Sequence, residues 1–377
     1  MKKIGIDARF YGPKNKGLGR YAQKLIENLE YIDGESKERT YFIFLKKENF
    51  SDYHPQNSNF KKIEADFDWY SFREQAMYPK FLSSFKLDLM HFCHFNVPLA
   101  YRRRFIVTVH DLILFHFPTI RNTTRNRIHY IFKLLAYQIV IRSAVKRAKK
   151  VIAVSKFTKQ DIMKELHISE DKIVVTYEGC DSDRLISPEN SGEILEKYGI
   201  MKPYLLYVGN AYPHKNLEKL VLAYKEIKKS LPEVSLVLVG GKDFFYAQLE
   251  KYVLDKKISN VVLPGYVPDN ELDAMYKNAE LYIFPSLYEG FGLPPLEALA
   301  RNTPVASSSK TSMPEILEKA VLYFDPESVA SIAWTIETVL KKPKDEIFSR
   351  QEALKQVGSF SWNKMARQTL SEYRKVI

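Results

Sequence analysis

Short apolar runs alternate with longer helix-like stretches from one end of the chain to the other. Because their apolar residues follow one another without strict alternation, strands formed by these runs are expected to be buried on both faces, as in a parallel sheet. The repeated order of strand, helix and strand predicts a doubly wound α/β fold. The predicted strands cover residues 2–9, 41–45, 87–92, 105–111, 150–155, 172–179, 204–210, 234–241, 260–267, 279–286, 303–309 and 320–326.

The chain has 377 residues, enough for two domains. Residues 179–193 are rich in Asp, Ser, Asn, Gly and Pro, which indicates a linker. We therefore predict Rossmann-like domains at 1–185 and 186–358, facing each other across a cleft. A terminal segment, 359–377, is predicted to form a helix with Ser361 as its N-cap.

Two cysteines, Cys93 and Cys180, are too few for a disulfide framework or a four-cysteine zinc site. The first residues, MKKIGIDARF, lack the apolar run of a signal peptide, and no run of about 18 apolar residues predicts a membrane span. These features predict a cytoplasmic protein. Residues 130–145 are expected to form an amphipathic helix packed on a sheet.

The net charge of +12 is concentrated in residues 121–150, which contain Lys and Arg but no acid. A solvated helix face explains such a stretch by default. Anionic lipid at the inner face of the cell membrane is a second explanation, since each cation near such a surface contributes about 1 kcal/mol. Nucleic acid is disfavoured because no nucleic-acid-binding module accompanies the charge. The cations are Arg121, Arg125, Arg127, Lys133, Arg142, Lys146, Arg147, Lys149 and Lys150.

Gly17, Gly19 and Ala22 match the dinucleotide fingerprint G-x-G-x-x-A. The predicted strand ends near Arg9, too far before Gly17 for that fingerprint, so the spacing argues against NAD. A glycine-rich turn that opens a helix still offers amides to a phosphate or a sugar, and a plain flexible loop is the alternative.

His110 ends a predicted strand, the position where open α/β sheets bind ligands, although a buried core histidine would fit the same pattern. His91 and His94 lie among aromatic residues and are interpreted as structural, with no partner ligands at zinc spacing. Residues Asp181 and Asp183 form an Asp-x-Asp pair in the linker, and two carboxylates alone are weak evidence for a cation site. No metal site is therefore predicted.

In the second half, Gly209 and Asn210 follow a strand, and Lys215 precedes a helix. A lysine at a helix N-terminus suits a diphosphate, and a surface lysine is the alternative. Further on, Glu289 lies in the loop of YEGFGLPPLEA, and Glu297 lies in the helix that its prolines begin. Capping explains one carboxylate near that helix; a sugar nucleotide would explain both, with its diphosphate on the amides and its hydroxyls on the carboxylates.

These residues and their order resemble family 4 retaining glycosyltransferases of the GT-B fold. The resemblance rests on E-x7-E from Glu289 to Glu297, together with GIDAR, GLGRYA, VTVHD, VIAVSKFTKQDI, YEGCD and YVGNAYPHKN, and covers essentially the whole chain. It is strongest to the mannosyltransferase-like branch of bacterial polysaccharide synthesis. The first domain would then bind the acceptor and the second the nucleotide-sugar donor, with the last helix crossing back to the first domain.

The resemblance also implies a role for each matching residue. Glu297 would bind the donor ribose, Glu289 the donor sugar and phosphate, and Lys215 the diphosphate. His110 would lie at the reaction centre, and Gly17 and Gly19 would close over the donor. The remaining donor-binding residues would be Gly209, Asn210 and the amides of Phe291, Gly292 and Leu293.

Many relatives have arginines where this chain has Asn210 and His214, so Lys215 and backbone amides would meet more of the phosphate charge here. The implied reaction moves a hexose from a nucleoside diphosphate to a glycan or lipid-linked acceptor, without metal or cofactor. Mannose is the first candidate for that hexose. An NDP-sugar epimerase or a non-catalytic sugar-nucleotide binder on the same fold is the alternative. A phosphorylase would need a pyridoxal-phosphate lysine that the sequence does not suggest.

Overall fold

The structure is a computed structural model that describes residues 1–118, 127–180 and 190–377. The chain divides into two compact units, the first made of Met1–Gly179 and Ser361–Ile377, the second of Cys180–Phe360. The paired aspartates at 181 and 183 lie outside the described residues, as do Arg121 and Arg125.

The first unit is built on a seven-stranded sheet in which every recorded pairing is parallel, in the order β3-β2-β1-β4-β5-β6-β7. Its strands are β1 (Lys2–Asp7), β2 (Arg39–Leu45), β3 (Phe60–Glu64), β4 (Leu89–Phe92), β5 (Phe105–Val109), β6 (Lys150–Ala153) and β7 (Ile173–Val175). Its helices are α1 (Lys16–Asp33), α2 (Phe72–Ser84), α3 (Ile113–His116), α4 (Arg127–Arg147), α5 (Lys156–Leu166) and, from the end of the chain, α15 (Trp362–Val376).

The second unit has a six-stranded parallel sheet in the order β10-β9-β8-β11-β12-β13. The strands are β8 (Tyr204–Val208), β9 (Ser235–Val239), β10 (Val261–Gly265), β11 (Leu281–Phe284), β12 (Val305–Ser308) and β13 (Leu322–Phe324). The helices are α6 (Ser191–Lys197), α7 (Leu217–Ile227), α8 (Phe244–Asp255), α9 (Asp269–Asn278), α10 (Leu293–Ala300), α11 (Met313–Leu317), α12 (Val329–Leu340), α13 (Lys344–Ile347) and α14 (Arg350–Gly358).

The doubly wound prediction is confirmed, and each predicted strand is present; β2 begins two residues earlier than predicted, and the other strands are shorter than predicted. The sequence missed β3, which forms one edge of the first sheet. Its residues FKKIE include two lysines, and only Phe60 is buried. An edge strand pairs on one side only and is commonly protected by charge, so it lacks the continuous apolar signal of the central strands.

The strand order reverses direction between β1 and β4 in the first sheet and between β8 and β11 in the second. In open α/β sheets a crevice forms at such a switch point, outside the carboxyl ends of the strands. The loops after β8 and β11 are the ones that carry Lys215 and Glu289. These two loops therefore lie where an open α/β sheet binds its ligand.

The helix predicted at 130–145 is present as α4, but only one of its faces packs on the protein. Tyr137, Ile141, Ala144 and Val145 are buried. The predicted amphipathic helix packed on the sheet is therefore present, and its opposite face is exposed and partly apolar. Among the described residues, no helix combines the length and apolarity that crossing a membrane requires.

The terminal helix α15 packs against α1 in the first unit and begins at the predicted N-cap, Ser361, whose side chain accepts a hydrogen bond from the Lys364 amide. Near its end, the Tyr373 hydroxyl lies 2.6 Å from Nδ1 of His91, and Nε2 of His91 lies 2.8 Å from the Thr108 hydroxyl. Burial lowers the pKa of His91 to about 3, with a smaller effect from His110, so the ring is neutral. The structural role predicted for His91 is confirmed.

Arg9 is fully buried just after β1 and is held by two carboxylates. Its guanidinium donates two hydrogen bonds of 2.8 Å to Asp7 and lies 2.8 Å from Oε1 of Glu74. Glu74 also accepts hydrogen bonds from the side chain of Asn96 and from the amide of Tyr70. The arginine therefore joins β1 to α2 and, through Glu74, to the loop before α2 and the loop after β4.

We predict that Arg9→Met destabilises the first unit by about 3–5 kcal/mol, because removal of one partner leaves buried carboxylates without their charge partner. Urea unfolding of the full chain, followed by circular dichroism, measures the change. The control is Arg103→Met on the exposed surface of the same unit, expected to stay within about 0.5 kcal/mol of the natural protein. Equal effects of the two substitutions would contradict the buried-pair account.

Candidate functional site

Two loops at the carboxyl edge of the second sheet are tied to each other by hydrogen bonds. The loop after β8 ends in a short 3-10 turn, Pro213–Lys215, and the next residue, Asn216, adopts a left-handed φ of 61°. The Asn216 side chain donates to the carbonyl of Pro285, 3.1 Å away, in the loop after β11. In return the Leu287 amide donates to the carbonyl of His214 at 2.7 Å. The two loops therefore hold each other in place.

These bonds bring two of the predicted site residues into direct contact. Nζ of Lys215 lies 2.5 Å from Oε1 of Glu289, and both side chains are largely buried. The Glu289 amide donates to the Thr311 hydroxyl at 3.1 Å, and the Ser312 hydroxyl donates to the Glu289 carbonyl at 3.0 Å. The backbone of Glu289 is thus anchored, and its carboxylate is aimed at the lysine.

Gly292 is required where α10 begins. It has a φ of +88°, which L-residues with a side chain rarely adopt, and a Cβ there would overlap the methyl group of Met313. The prolines Pro294 and Pro295 lie in the first turn of α10, as predicted, and the N-cap residue, Gly292, has no side chain with which to cap it. Because proline has no N–H, the amides at this end belong to Gly292 and Leu293, and the helix dipole places partial positive charge there.

Phe291 contributes its backbone to this edge, because its ring is buried at right angles to the ring of Phe360, with centroids 5.4 Å apart. The amide contacts expected at Phe291, Gly292 and Leu293 stay predictions.

Glu297 lies farther along α10 and belongs to a second group of polar side chains. The Tyr276 hydroxyl donates to its Oε2 at 3.2 Å, and Arg301 donates to its backbone carbonyl at 2.9 Å. Arg301 also pairs with Asp273. Burial lowers the pKa of Arg301, but the charges of Asp273 and Glu297 outweigh it and raise the pKa overall. Sequence reasoning missed Arg301, although its position four residues after Glu297 is one helical turn away.

Two residues of the loop after β8 stand where the family resemblance leads us to expect arginine. His214 is buried, and burial with a further contribution from Lys215 lowers its pKa to about 3, so its ring carries no charge at neutral pH. Asn210 is partly buried and its Oδ1 lies 3.4 Å from the Tyr212 amide. Gly209 leaves no room for a side chain, because a Cβ would meet the Tyr207 hydroxyl at 2.5 Å. Lys215 is the cation that this loop directs to the edge of the sheet.

In the first unit the two predicted glycines have different surroundings. Both lie within the first turn of α1, which begins at Lys16. A Cβ on Gly19 would overlap the carbonyl oxygens of Gly12 and Phe10, so this glycine permits close packing of the preceding loop on the helix. Gly17 is exposed, with open space where a Cβ would stand. Of the two, only Gly17 presents an uncovered surface to a ligand.

His110 lies directly after β5, at the carboxyl edge of the first sheet, and both of its ring nitrogens have partners. Nδ1 is 3.0 Å from Oε1 of Glu178, and Nε2 is 3.0 Å from the carbonyl oxygen of Cys93. The ring of Tyr21 stands at 87° to it, with centroids 4.7 Å apart. Sequence reasoning missed Glu178, which follows β7 and is brought to β5 only by the order of the sheet.

One cluster of potential metal ligands is present among the described residues. His116, Asp161 and Glu165 place ligand atoms within 4.8 Å of one another. Nε2 of His116 lies 2.9 Å from both Asp161 oxygens, so a histidine–carboxylate hydrogen bond accounts for the closeness of these two side chains.

Comparison with known proteins agrees with this geometry. Residues 191–356 match the family described as glycosyl transferases group 1, and residues 52–184 match glycosyltransferase family 4. The chain is 31% identical over 300 residues to O-antigen chain mannosyltransferase B of Escherichia coli, which spans 78% of this chain and 76% of that protein. It is 30% identical to O-antigen chain mannosyltransferase RfbU of Salmonella typhimurium, across 66% of this chain and 64% of that protein.

Among solved structures, Anabaena Alr3699/HepE in complex with UDP and glucose has the same fold, with a TM-score of 0.73 and 17% identity over 99% of each chain. The sequence-based prediction of a GT-B glycosyltransferase is confirmed, and the epimerase and non-catalytic alternatives find no support in these relatives. The chain therefore belongs to glycosyltransferase family 4, with a group 1 glycosyl transferase domain in its second half.

Proposed function

We propose that this enzyme transfers mannose, with retention of anomeric configuration, from a nucleoside diphosphate donor to a glycan or lipid-linked acceptor in cell-surface polysaccharide synthesis. The observation that carries the proposal is the Lys215–Glu289 ion pair at the switch point of the second sheet. The choice of mannose and of a surface polysaccharide is supported by the names of two relatives, both O-antigen chain mannosyltransferases.

The donor-binding roles follow from the charges at this edge. Lys215 and the amides of Gly292 and Leu293 at the start of α10 are the positive groups, and they suit the diphosphate. Glu289 and Glu297 are hydrogen-bond acceptors and suit hydroxyl groups, Glu289 those of the sugar and Glu297 those of the ribose. Because His214 is uncharged, we expect Lys215 to meet most of the phosphate charge in the loop after β8.

The reaction breaks the bond between the anomeric carbon and the diphosphate, so negative charge develops on the leaving group. Lys215 and the α10 amides are placed to stabilise that charge, which is most effective in the transition state. The sugar passes through an oxocarbenium-like state. The acceptor attacks from the face that the diphosphate leaves, and its proton goes to a phosphate oxygen. Glu289, which is paired with Lys215, is then an orienting group and not a nucleophile.

The roles expected of Gly17, Gly19 and His110 at the reaction centre are part of this proposal. Gly19 is accounted for by packing, whereas exposed Gly17 and the position of His110 after β5 fit contact with substrate. We include Gly209 and Asn210 as residues that shape the loop leading to Lys215.

We predict that GDP-mannose raises the thermal unfolding temperature of the protein more than UDP-glucose, UDP-N-acetylglucosamine or ADP-glucose does. A ligand that binds only the folded state stabilises it by mass action, by about 2.7 kcal/mol at a hundred times its Kd. Differential scanning calorimetry at matched concentrations measures the shift. A larger shift with another donor would replace mannose as the sugar, and no shift with any donor would count against the enzyme assignment.

Glu297→Ala is expected to weaken binding of the preferred nucleotide by about tenfold to a hundredfold, since a hydrogen bond to a charged group contributes about 1.5–3 kcal/mol. Isothermal titration calorimetry measures the Kd. Glu233→Ala, an exposed glutamate of the same unit, serves as the matched control and should leave the Kd unchanged. Unchanged affinity in Glu297→Ala would remove this residue from the ribose site.

We also propose that α4 holds the protein against anionic lipid. Its exposed face carries Ile131, Phe132, Leu135 and Ile139, which are 54%, 67%, 50% and 58% exposed. One and two turns later the same face carries Arg142 and Lys146, both exposed. Apolar residues beside cations on one helical face are the pattern of a helix that lies in a lipid interface. Arg147 and Lys150 instead bond to backbone carbonyls within the unit.

We predict salt-sensitive binding to liposomes that contain phosphatidylglycerol, measured by co-sedimentation. Arg142→Gln with Lys146→Gln should weaken it by about 2 kcal/mol, or roughly thirtyfold. The control pair Lys37→Gln with Lys61→Gln removes the same charge from other exposed positions of the unit. Equal binding to neutral and anionic liposomes, or equal effects of the two pairs, would exclude anionic lipid as the occupant of α4.

A further inference from the structure

The strands of the first sheet bring three separate segments together, one of which carries His110. His110 follows β5, Cys93 follows β4, and Glu178 follows β7. These strands are parallel and lie in the order β4-β5-β6-β7, so the three residues share one edge of the sheet. Glu178 is 6% exposed, and the His110 side chain is 16% exposed. A carboxylate buried to this degree is expected to have a defined partner.

The partner of Glu178 is one nitrogen of His110, and the other nitrogen faces a second acceptor. Oε1 of Glu178 lies 3.0 Å from Nδ1, and the Cys93 carbonyl oxygen lies 3.0 Å from Nε2. A carbonyl oxygen only accepts, and so does an ionised carboxylate. Neutral imidazole has a single N–H and can satisfy one of these partners, whereas imidazolium has two and satisfies both.

The other groups near His110 favour the same state. Burial lowers the pKa of His110, but the hydrogen bond and charge of Glu178, together with the hydrogen bond to the Cys93 carbonyl and the charge of Asp111, raise the pKa overall. Burial keeps four neighbouring groups uncharged at neutral pH: it lowers the pKa of His91 and His94 to about 3 and raises that of the Tyr21 hydroxyl and the Cys93 thiol.

We propose that Glu178 is a positioning residue that holds His110 as an imidazolium, with both N–H groups committed to Glu178 and Cys93, so that His110 is a fixed positive charge and not a general base. This inference rests on the proposed function only for its consequence in catalysis. The protonation state itself concerns two side chains of the first unit and can be measured without substrate.

The consequence for glycosyl transfer is a definite path for the proton. The bond from the anomeric carbon to the diphosphate oxygen breaks, and the bond to the acceptor oxygen forms. The acceptor proton moves to the leaving phosphate, and His110 neither gains nor loses a proton. In the role proposed for it at the reaction centre, His110 would counter the negative charge that develops on the leaving group, an effect that requires fixed geometry and no lone pair.

Nitrogen NMR of the ligand-free protein tests the protonation state directly. The full chain is labelled with 15N-histidine, and His110 is assigned among the eight histidines by the spectrum of His110→Gln. We expect both His110 nitrogens to carry protons at about pH 7, above the pKa of about 6.5 of an unperturbed histidine. A nitrogen without a proton at that pH would overturn the proposal.

Glu178→Gln then tests whether the carboxylate is responsible. It keeps the size of the side chain and removes its charge, so His110 should become neutral at about pH 7.5 and regain its second proton as the pH falls toward about 5.5. The control is Glu170→Gln, an exposed glutamate of the same unit, which should leave the titration of His110 as it is. An unchanged titration in Glu178→Gln would overturn the proposal. If this variant fails to fold, the proposal is tested by the spectrum of the natural protein and by that of Glu178→Asp, which keeps a carboxylate at this position.

Activity gives a readout that loss of structure alone would not produce. Release of GDP from GDP-mannose should fall about tenfold to a hundredfold in Glu178→Gln at about pH 7.5, and most of the loss should disappear near pH 5.5, where His110 is charged again. A loss that does not depend on pH would contradict a charge effect. Failure of GDP-mannose to bind would contradict the proposed donor and leave the NMR result standing.

Discussion

Parallel strands that are buried on both faces can satisfy their backbone groups only through neighbouring strands, and this constraint organises both units. It places the strands at the centre, the helices outside, and polar side chains at the carboxyl edges where the strands stop. In the second unit the two loops at the switch point become mutually dependent, through Asn216 and Leu287, because each lies beside the other at that edge. The contact between Lys215 and Glu289 is a product of this arrangement: residues 74 positions apart in sequence meet because β8 and β11 are adjacent.

Charge is distributed sparingly around that contact. Where the family resemblance leads us to expect arginines, this chain has a partly buried asparagine and a neutral buried histidine, His214, whose backbone carbonyl accepts a hydrogen bond from the neighbouring loop. Lys215 is therefore held between a carboxylate of its own protein and the diphosphate that we propose as its ligand. A lysine already paired with Glu289 is oriented before the donor arrives, which reduces the ordering that binding requires. Because Glu289 is paired with Lys215, its position also depends on whether a diphosphate is bound to that lysine.

Much of the fold could be predicted from the sequence, because central strands buried on both faces have a strong apolar signal and the helices between them are amphipathic. The edge strand β3 lacks that signal. For the site, spacing along the chain was sufficient where the residues belong to one loop and helix, as with Glu289, Gly292 and Glu297. It was insufficient where partners meet across a sheet: Glu178 beside His110 depends on strand order. The buried state of His214 likewise depends on packing that its sequence neighbours do not reveal.

The contact between His91 and Tyr373 joins residues 282 positions apart. Both belong to the first unit, whose larger part ends at Gly179 and whose last segment, with α15, follows the second unit in sequence. During synthesis, the whole second unit is made before Tyr373 exists. The first unit therefore depends on residues that are made after the whole second unit, because α15 has to be present before His91 is covered on that side.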